Sequence, residues 1–442
     1  MQTGDVRADN LAPPDALLGD EASPLQDGDV LLYRGEAHRV VAGQLNDPLI
    51  AINRAPHKVA PRGVRKSAED AVVVERCLHS YNHTVVCEPC QAETAPVDNA
   101  RAMTAPEVTR EQVLAFRRRV QALGERLPPG SDSLQRAAWA GLQDSVPRSA
   151  LHSVHARVEG IAPDVLDDPA LVQVWGPRYT AYVVPAGDHA PFTLGRQPGT
   201  GALGKRAEEV AARAHDHLAG RRLPVDVVAT ALGVGNGIRY ATLTGTVLIR
   251  WAGAREPTMW TVPRSTLSAA EALQELARRY LHVLGPATVE SFIRWGGIDG
   301  PAAIVAFEAL GPSLQAVRTP LGEAQLLAED EPMLREHPSG TEAARLLPSG
   351  DPYYLLWGAD RELLVPDARH RAALWTSRVW PGAVLVGGEI VGTWRRSKAT
   401  VDVTLWRKLG GTERGAIEAE AASLPLPDVS VRGTVRWNPA TA

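Results

Sequence analysis

Twice along this chain three helix-patterned stretches are followed by two β-patterned runs, and that repeated order constrains the fold more than anything else in the sequence. In the first set, residues 208–219, 226–232 and 238–244 carry helical spacing, with Pro224 and the breaker Gly233-Val234-Gly235-Asn236-Gly237 between them. Two β runs follow, 246–251 and 258–262, joined by Ala252-Gly253-Ala254-Arg255-Glu256-Pro257. The second set opens at Ser268, whose Glu271 three residues on makes a capping-box pattern for a helix to Leu284. Gly285-Pro286-Ala287-Thr288 breaks it, short helices are expected over 289–295 and 301–310, and residues 317–326 supply a wing. Helix, helix, helix, hairpin is the order of a winged helix.

The flanks differ in character. Residues 1–27 are polar, rich in Pro and Asp, and read as a disordered tail. Short β-like runs over 28–91 suggest a small SH3-like β module, and 92–106 is linker-like. A first winged-helix-like domain is expected over 107–200, a second over 201–265 and a third over 266–330. Residues 340–442 read as a C-terminal β-barrel and tail, with strands at 354–357, 362–365, 383–386, 390–394 and 401–405 and a hairpin at Gly387-Gly388. The expected class is α+β: tandem winged-helix domains with a C-terminal β-barrel, preceded by the small β module.

Charge sets limits on partners. Lys+Arg 47 against Asp+Glu 51 gives a net charge of -4, which excludes attachment to nucleic acid by bulk electrostatics alone. Lys58, Lys66, Lys205, Lys398 and Lys408 are the only lysines, so nearly every cation is an arginine. No run approaches the roughly 18 apolar residues of a membrane helix, and the opening lacks the pattern of a signal peptide. With three cysteines in the whole chain, a reducing cytoplasmic location without membrane contact is expected.

The densest cluster of ligand-type residues is Cys77, His79, His83, Cys87 and Cys90. Cys87 and Cys90 have zinc-ligand spacing, and Cys77 with His83 or His79 could complete a structural tetrahedral site. Reduced thiols beside solvated histidines, or a redox pair, are the alternatives. A phosphate-binding glycine loop, a G-x-S-x-G elbow and an H-E-x-x-H pair are all missing from the sequence.

The block Trp139-Ala140-Gly141-Leu142-Gln143-Asp144-Ser145-Val146-Pro147-Arg148-Ser149-Ala150 resembles the stretch carrying the QΦQ motif in winged-helix DNA glycosylases of the AlkZ/YcaQ type. His155-Ala156-Arg157, the run from Val174 to Asp188, Tyr280-Leu281 with Gly285-Pro286-Ala287-Thr288, the run from Leu346 to Tyr353, and Gly392-Thr393-Trp394-Arg395 extend the resemblance over residues 107–409. It implies tandem winged helices closed by a C-terminal β-barrel. It also implies a monomer that binds double-stranded DNA and hydrolyses the N-glycosidic bond of alkylated or crosslinked purines, with no cofactor required for catalysis. The first Gln of the motif falls on Gln143, the aliphatic position on Asp144 and the second Gln on Ser145. Gln143 would orient water and Asp144 would supply negative charge; a helix cap or turn network is the alternative reading of the pair. Arg148, His155, Arg157 and Arg178 are the expected DNA contacts, while Trp175, Trp295 and Trp394 are expected in packing. Two rival readings remain, a catalytically silent DNA-binding protein and a protein-interaction module.

Overall fold

The computed structural model describes residues 105–144, 149–197, 201–252, 256–336, 343–427 and 429–439. All of these fall in the unit Met103–Ala442. The expected tail, the small β module and the Cys77, His83, Cys87, Cys90 cluster lie outside the described residues, as do Ser145 and Arg148.

The first part runs α1 (Arg110–Val120), α2 (Ser131–Ala137), β1 (Leu142–Gln143), α3 (Ser149–Arg157), β2 (Leu171–Trp175), β3 (Ala181–Pro185) and α4 (His189–Phe192). The second runs α5 (Ala202–Leu218), β4 (Leu223–Pro224), α6 (Val225–Leu232), a 3-10 segment Gly235–Thr244, β5 (Val247–Arg250) and β6 (Thr258–Thr261). These two parts share one sheet, in the order β1-β3-β2-β5-β6-β4, joined where Gln173 of β2 faces Ile249 of β5. The sheet therefore crosses residue 200, where the sequence suggested a boundary. Strand β2 escaped the sequence reading because Gln173 interrupts its apolar run. That amide is fully buried, donating to Asp144 Oδ2 at 2.8 Å and accepting from the Trp251 amide.

Next come α7 (Ala269–Leu284), α8 (Val289–Gly296), α9 (Gly300–Leu310), β7 (Leu314–Thr319), β8 (Gly322–Leu327) and α10 (Glu331–Arg335). The capping box is formed: Ser268 Oγ accepts from the Glu271 amide and Glu271 accepts from the Ser268 amide. One face of α7 buries Leu273, Leu276, Ala277, Tyr280, Leu281 and Leu284, the spacing of an amphipathic helix. Tyr280 meets Phe292 and Trp295 of α8 at ring separations of 5.2 Å. Trp175, Trp295 and Trp394 are all buried.

The C-terminal part holds β9 (Ala344–Leu347), α11 (Ala359–Leu364), α12 (Ala368–Leu374), β10 (Gly382–Val386), β11 (Glu389–Ser397), β12 (Thr400–Leu405), α13 (Gly411–Ser423) and β13 (Thr434–Asn438). Its five-stranded sheet, β13-β12-β11-β10-β9, has two free ends and is not closed into a barrel among the described residues. Residues 354–357 and 362–365 are not strands. A 3-10 turn over Pro352–Tyr354 and α11 replace them, because Gly358 takes φ +57° and Leu363 and Leu364 turn inward together as one helical face. Four-residue apolar runs do not distinguish the two periods.

Candidate active site

Gln143 sits at the end of β1, where Leu142 faces Val183 and Gln143 faces Tyr182 on β3. Leu142 and Asp144 are buried, whereas Gln143 is half-buried on the opposite side of the strand. Its side chain packs on Gly350, where a Cβ would lie 3.2 Å from Gln143 Nε2 and where φ is +78°. Glycine at 350 is thus what lets the loop approach the amide.

Asp144 serves the start of α3. Its Oδ1 accepts from the Ala150 amide at 3.0 Å, and its Oδ2 accepts from Gln173. Ser149 Oγ donates to the Gln143 carbonyl at 2.8 Å. A carboxylate at a helix N-terminus offsets the unsatisfied amides and the positive end of the helix dipole. The turn-and-cap geometry weighed for this pair in the sequence is therefore formed at Asp144.

The loop bearing Gly350 is held by a buried ion pair. Asp351 accepts from Arg157 Nη1 at 2.7 Å, Arg157 Nη2 at 2.8 Å, Ser153 Oγ at 2.8 Å and the Tyr353 amide at 3.0 Å. Arg157 also donates to Gln121 Oε1 and the Ser153 carbonyl. At 1% exposure Arg157 is not at a DNA-facing surface; it neutralises Asp351 and through it sets the Gly350 loop against Gln143. His155, the other expected contact on α3, is buried as well. Its ring meets Ser423 Oγ at 3.2 Å and Arg126 Nη2 at 3.3 Å, while Arg126 pairs with Glu420 at 2.7 Å. Burial, helped by the positive charge of Arg126, lowers the His155 pKa from 6.5 to about 3, so the ring is neutral.

Among the described residues, Arg178 is the expected contact that remains partly exposed. It lies in the β2–β3 turn, Gly176–Thr180, with φ +58° beside Tyr179 at +57°. Its guanidinium stands 4.4 Å from the Trp357 ring centroid. Arg361 of α11 joins the same aromatic wall, 4.9 Å from Trp375 and 5.3 Å from Trp380. Sequence reasoning missed Arg361 and Trp357 because their segment read as strands; the dipeptide Trp357-Gly358 was the available signal for a turn. Asp351 was seen only as part of a matching run, since its partner Arg157 is distant in sequence.

Among the described residues no cluster of His, Cys, Asp and Glu could hold a metal ion, and no helix is long and apolar enough to cross a membrane.

The family model described as "DNA glycosylase AlkZ-like" matches residues 134–425. An interstrand DNA cross-link repair glycosylase of Streptomyces sahachiroi is 26% identical over 359 residues, covering 70% of this chain and 94% of that protein. The solved structure of Streptomyces sahachiroi DNA glycosylase AlkZ has a similar fold, with TM-score 0.63 at 22% identity, over 75% of this chain and 100% of that one.

Proposed function

The chain belongs to the AlkZ-like DNA glycosylase family, and on that premise we propose that it excises alkylated or crosslinked purines from duplex DNA by hydrolysing the N-glycosidic bond. The observation carrying this reading is the half-buried Gln143 amide, presented at a strand end between Tyr182 and Gly350. The name of the Streptomyces sahachiroi relative favours crosslinked DNA as a substrate. A purine alkylated at N7 is already a cationic leaving group, whether the alkyl group is small or bridges to the other strand. It needs little help from a general acid, and the protein's contribution is an oriented water and favourable electrostatics at the developing oxocarbenium. Gln143 can donate to and accept from that water with one amide. Asp144 fixes the end of β1 and adds negative charge behind it.

Strand alternation supports the register read in sequence: buried Asp144 takes the aliphatic position, on the opposite side of β1 from half-buried Gln143. A Cβ at Gly141 would lie 2.8 Å from Phe192 Cε1 and 2.9 Å from Tyr182 Cδ1, with φ +81°, so glycine is what lets the chain enter β1 there. With Ser145 in the position of the motif's second Gln, the site works with one glutamine, Gln143. The helix–helix–helix–hairpin order of α7, α8, α9 and β7–β8 supports a winged-helix reading of that part of the chain.

Incubating the purified protein with N7-methylated duplex should produce abasic sites, read as strand breaks after alkali. Duplex binding without breaks above the protein-free control would reject excision in favour of a silent DNA-binding protein.

A further inference from the structure

Three guanidiniums around the β2–β3 turn lack a carboxylate partner among the described residues: Arg178, Arg196 and Arg361. Arg178 rests on Trp357. Arg361 rests on Trp375 and Trp380 and donates Nε to the Leu356 carbonyl at 2.6 Å. Arg196, 9% exposed, lies 4.6 Å from the Tyr179 ring, donates Nη1 to the Gly176 carbonyl, and leaves its Nε without a hydrogen-bond partner. Other buried arginines are neutralised, Arg117 by Asp360, Arg126 by Glu420, Arg157 by Asp351 and Arg279 by Glu275, while Arg345 is held by the Ala156, Ala344 and Gly124 carbonyls. Cations withdrawn from water without counter-charge are costly, and burial lowers the pKa of Arg178, and that of Arg196 and Arg361 to about 10. The turn itself holds two consecutive non-glycine residues in the left-handed region, strain of a kind that persists where a segment is over-determined by its surroundings.

We propose that Arg178 and Arg361, on the wall of Trp357, Trp375 and Trp380, clamp a DNA backbone phosphodiester beside the base-excision site and so set the lesion's register against Gln143. This rests on the DNA-glycosylase reading above. Uncompensated positive charge repels a cationic N7-alkylated purine and attracts an anion, and two planar forks match phosphodiester oxygens. The clamp and Gln143 share their supports. The turn leads into β3, where Tyr182 faces Gln143, and the loop that lays Gly350 on Gln143 continues to Trp357. Trp357 is spent on supporting Arg178 and is not a platform for a flipped base.

The test is a walk of single neutral methylphosphonates along a duplex bearing one N7-methylguanine, using the full chain and its Arg178→Gln/Arg361→Gln variant. In the wild type one position flanking the lesion should weaken binding roughly tenfold, as expected for loss of a charge-assisted contact. The double variant should be insensitive at that position, and its log K against log salt slope should be shallower by about 1, as for one phosphate no longer neutralised. Arg178→Lys/Arg361→Lys keeps the charge but not the fork, so it should keep the slope and show a smaller methylphosphonate effect at that position; it decides the matter if the glutamine variant does not fold. Identical methylphosphonate profiles in wild type and variants overturn the clamp. So does competition by inorganic phosphate with a flat profile, which would assign the site to a free anion. Wild-type protein that shows the profile but releases no base keeps the clamp and rejects excision; base release with a flat profile does the reverse.

Discussion

Arg157 shows how far a residue's sequence surroundings can mislead about its task. In sequence it sits beside His155 in a polar stretch of a helix, the position of a DNA contact. In the fold all of α3 is buried, and the arginine meets an aspartate from a loop far along the chain. Nothing local encodes that pairing. Truncating it strands a charge that has no exposure to water, so Arg157→Ala should cost about 3–5 kcal/mol of stability. Urea unfolding would measure this, and an unchanged unfolding midpoint would contradict the pairing. His155 gives a pH signature. Its folded pKa of about 3 lies below the ordinary 6.5, so the unfolded chain takes up the proton first. The stability it contributes is complete above pH 6.5 and is lost as pH falls toward 3. Stability profiles of wild type and His155→Gln should converge on acidification through that window, and parallel profiles would contradict the assignment.

Elements were legible where periodicity was long or capping chemistry explicit. Helix α7, the breaker after it, α8, α9 and the hairpin β10–β11 all stand close to where spacing and turn residues put them. The segment 352–365 was not legible, because short apolar runs fit either period and tertiary packing of Tyr354, Leu363 and Leu364 decided the outcome. Helix α13 was missed for a similar reason: it buries Ile417, Glu420 and Ala421, and the alanines and glycines around them carry little apolar signal. At the site, the cap role of Asp144 was legible as an alternative, while the facing of Gln143 was not, since that depends on where β1 starts. The Gly350 loop offers a test of the element that supports Gln143. Gly350→Ala combines an unfavourable φ with a Cβ pressed on Gln143, so base release should fall at least several-fold while unfolding stays cooperative. Unchanged release would detach this loop from the site.

At the scale of the whole molecule, the six-stranded sheet makes residues on either side of position 200 one structural piece, and the family match spans 134–425. Both lie within the unit Met103–Ala442. Protein begun at Met103 should therefore unfold cooperatively and release base at the full-length rate; aggregation or loss of cooperativity would place part of the core before that residue. The central claim, that one glutamine on β1 carries the chemistry, is tested most directly by single-turnover base release from N7-methylguanine duplex at saturating protein, comparing wild type with Gln143→Ala. A fall of about tenfold or more, about 1.4 kcal/mol in the barrier, with unchanged duplex affinity is the predicted result. Equal rates in the two proteins would contradict it.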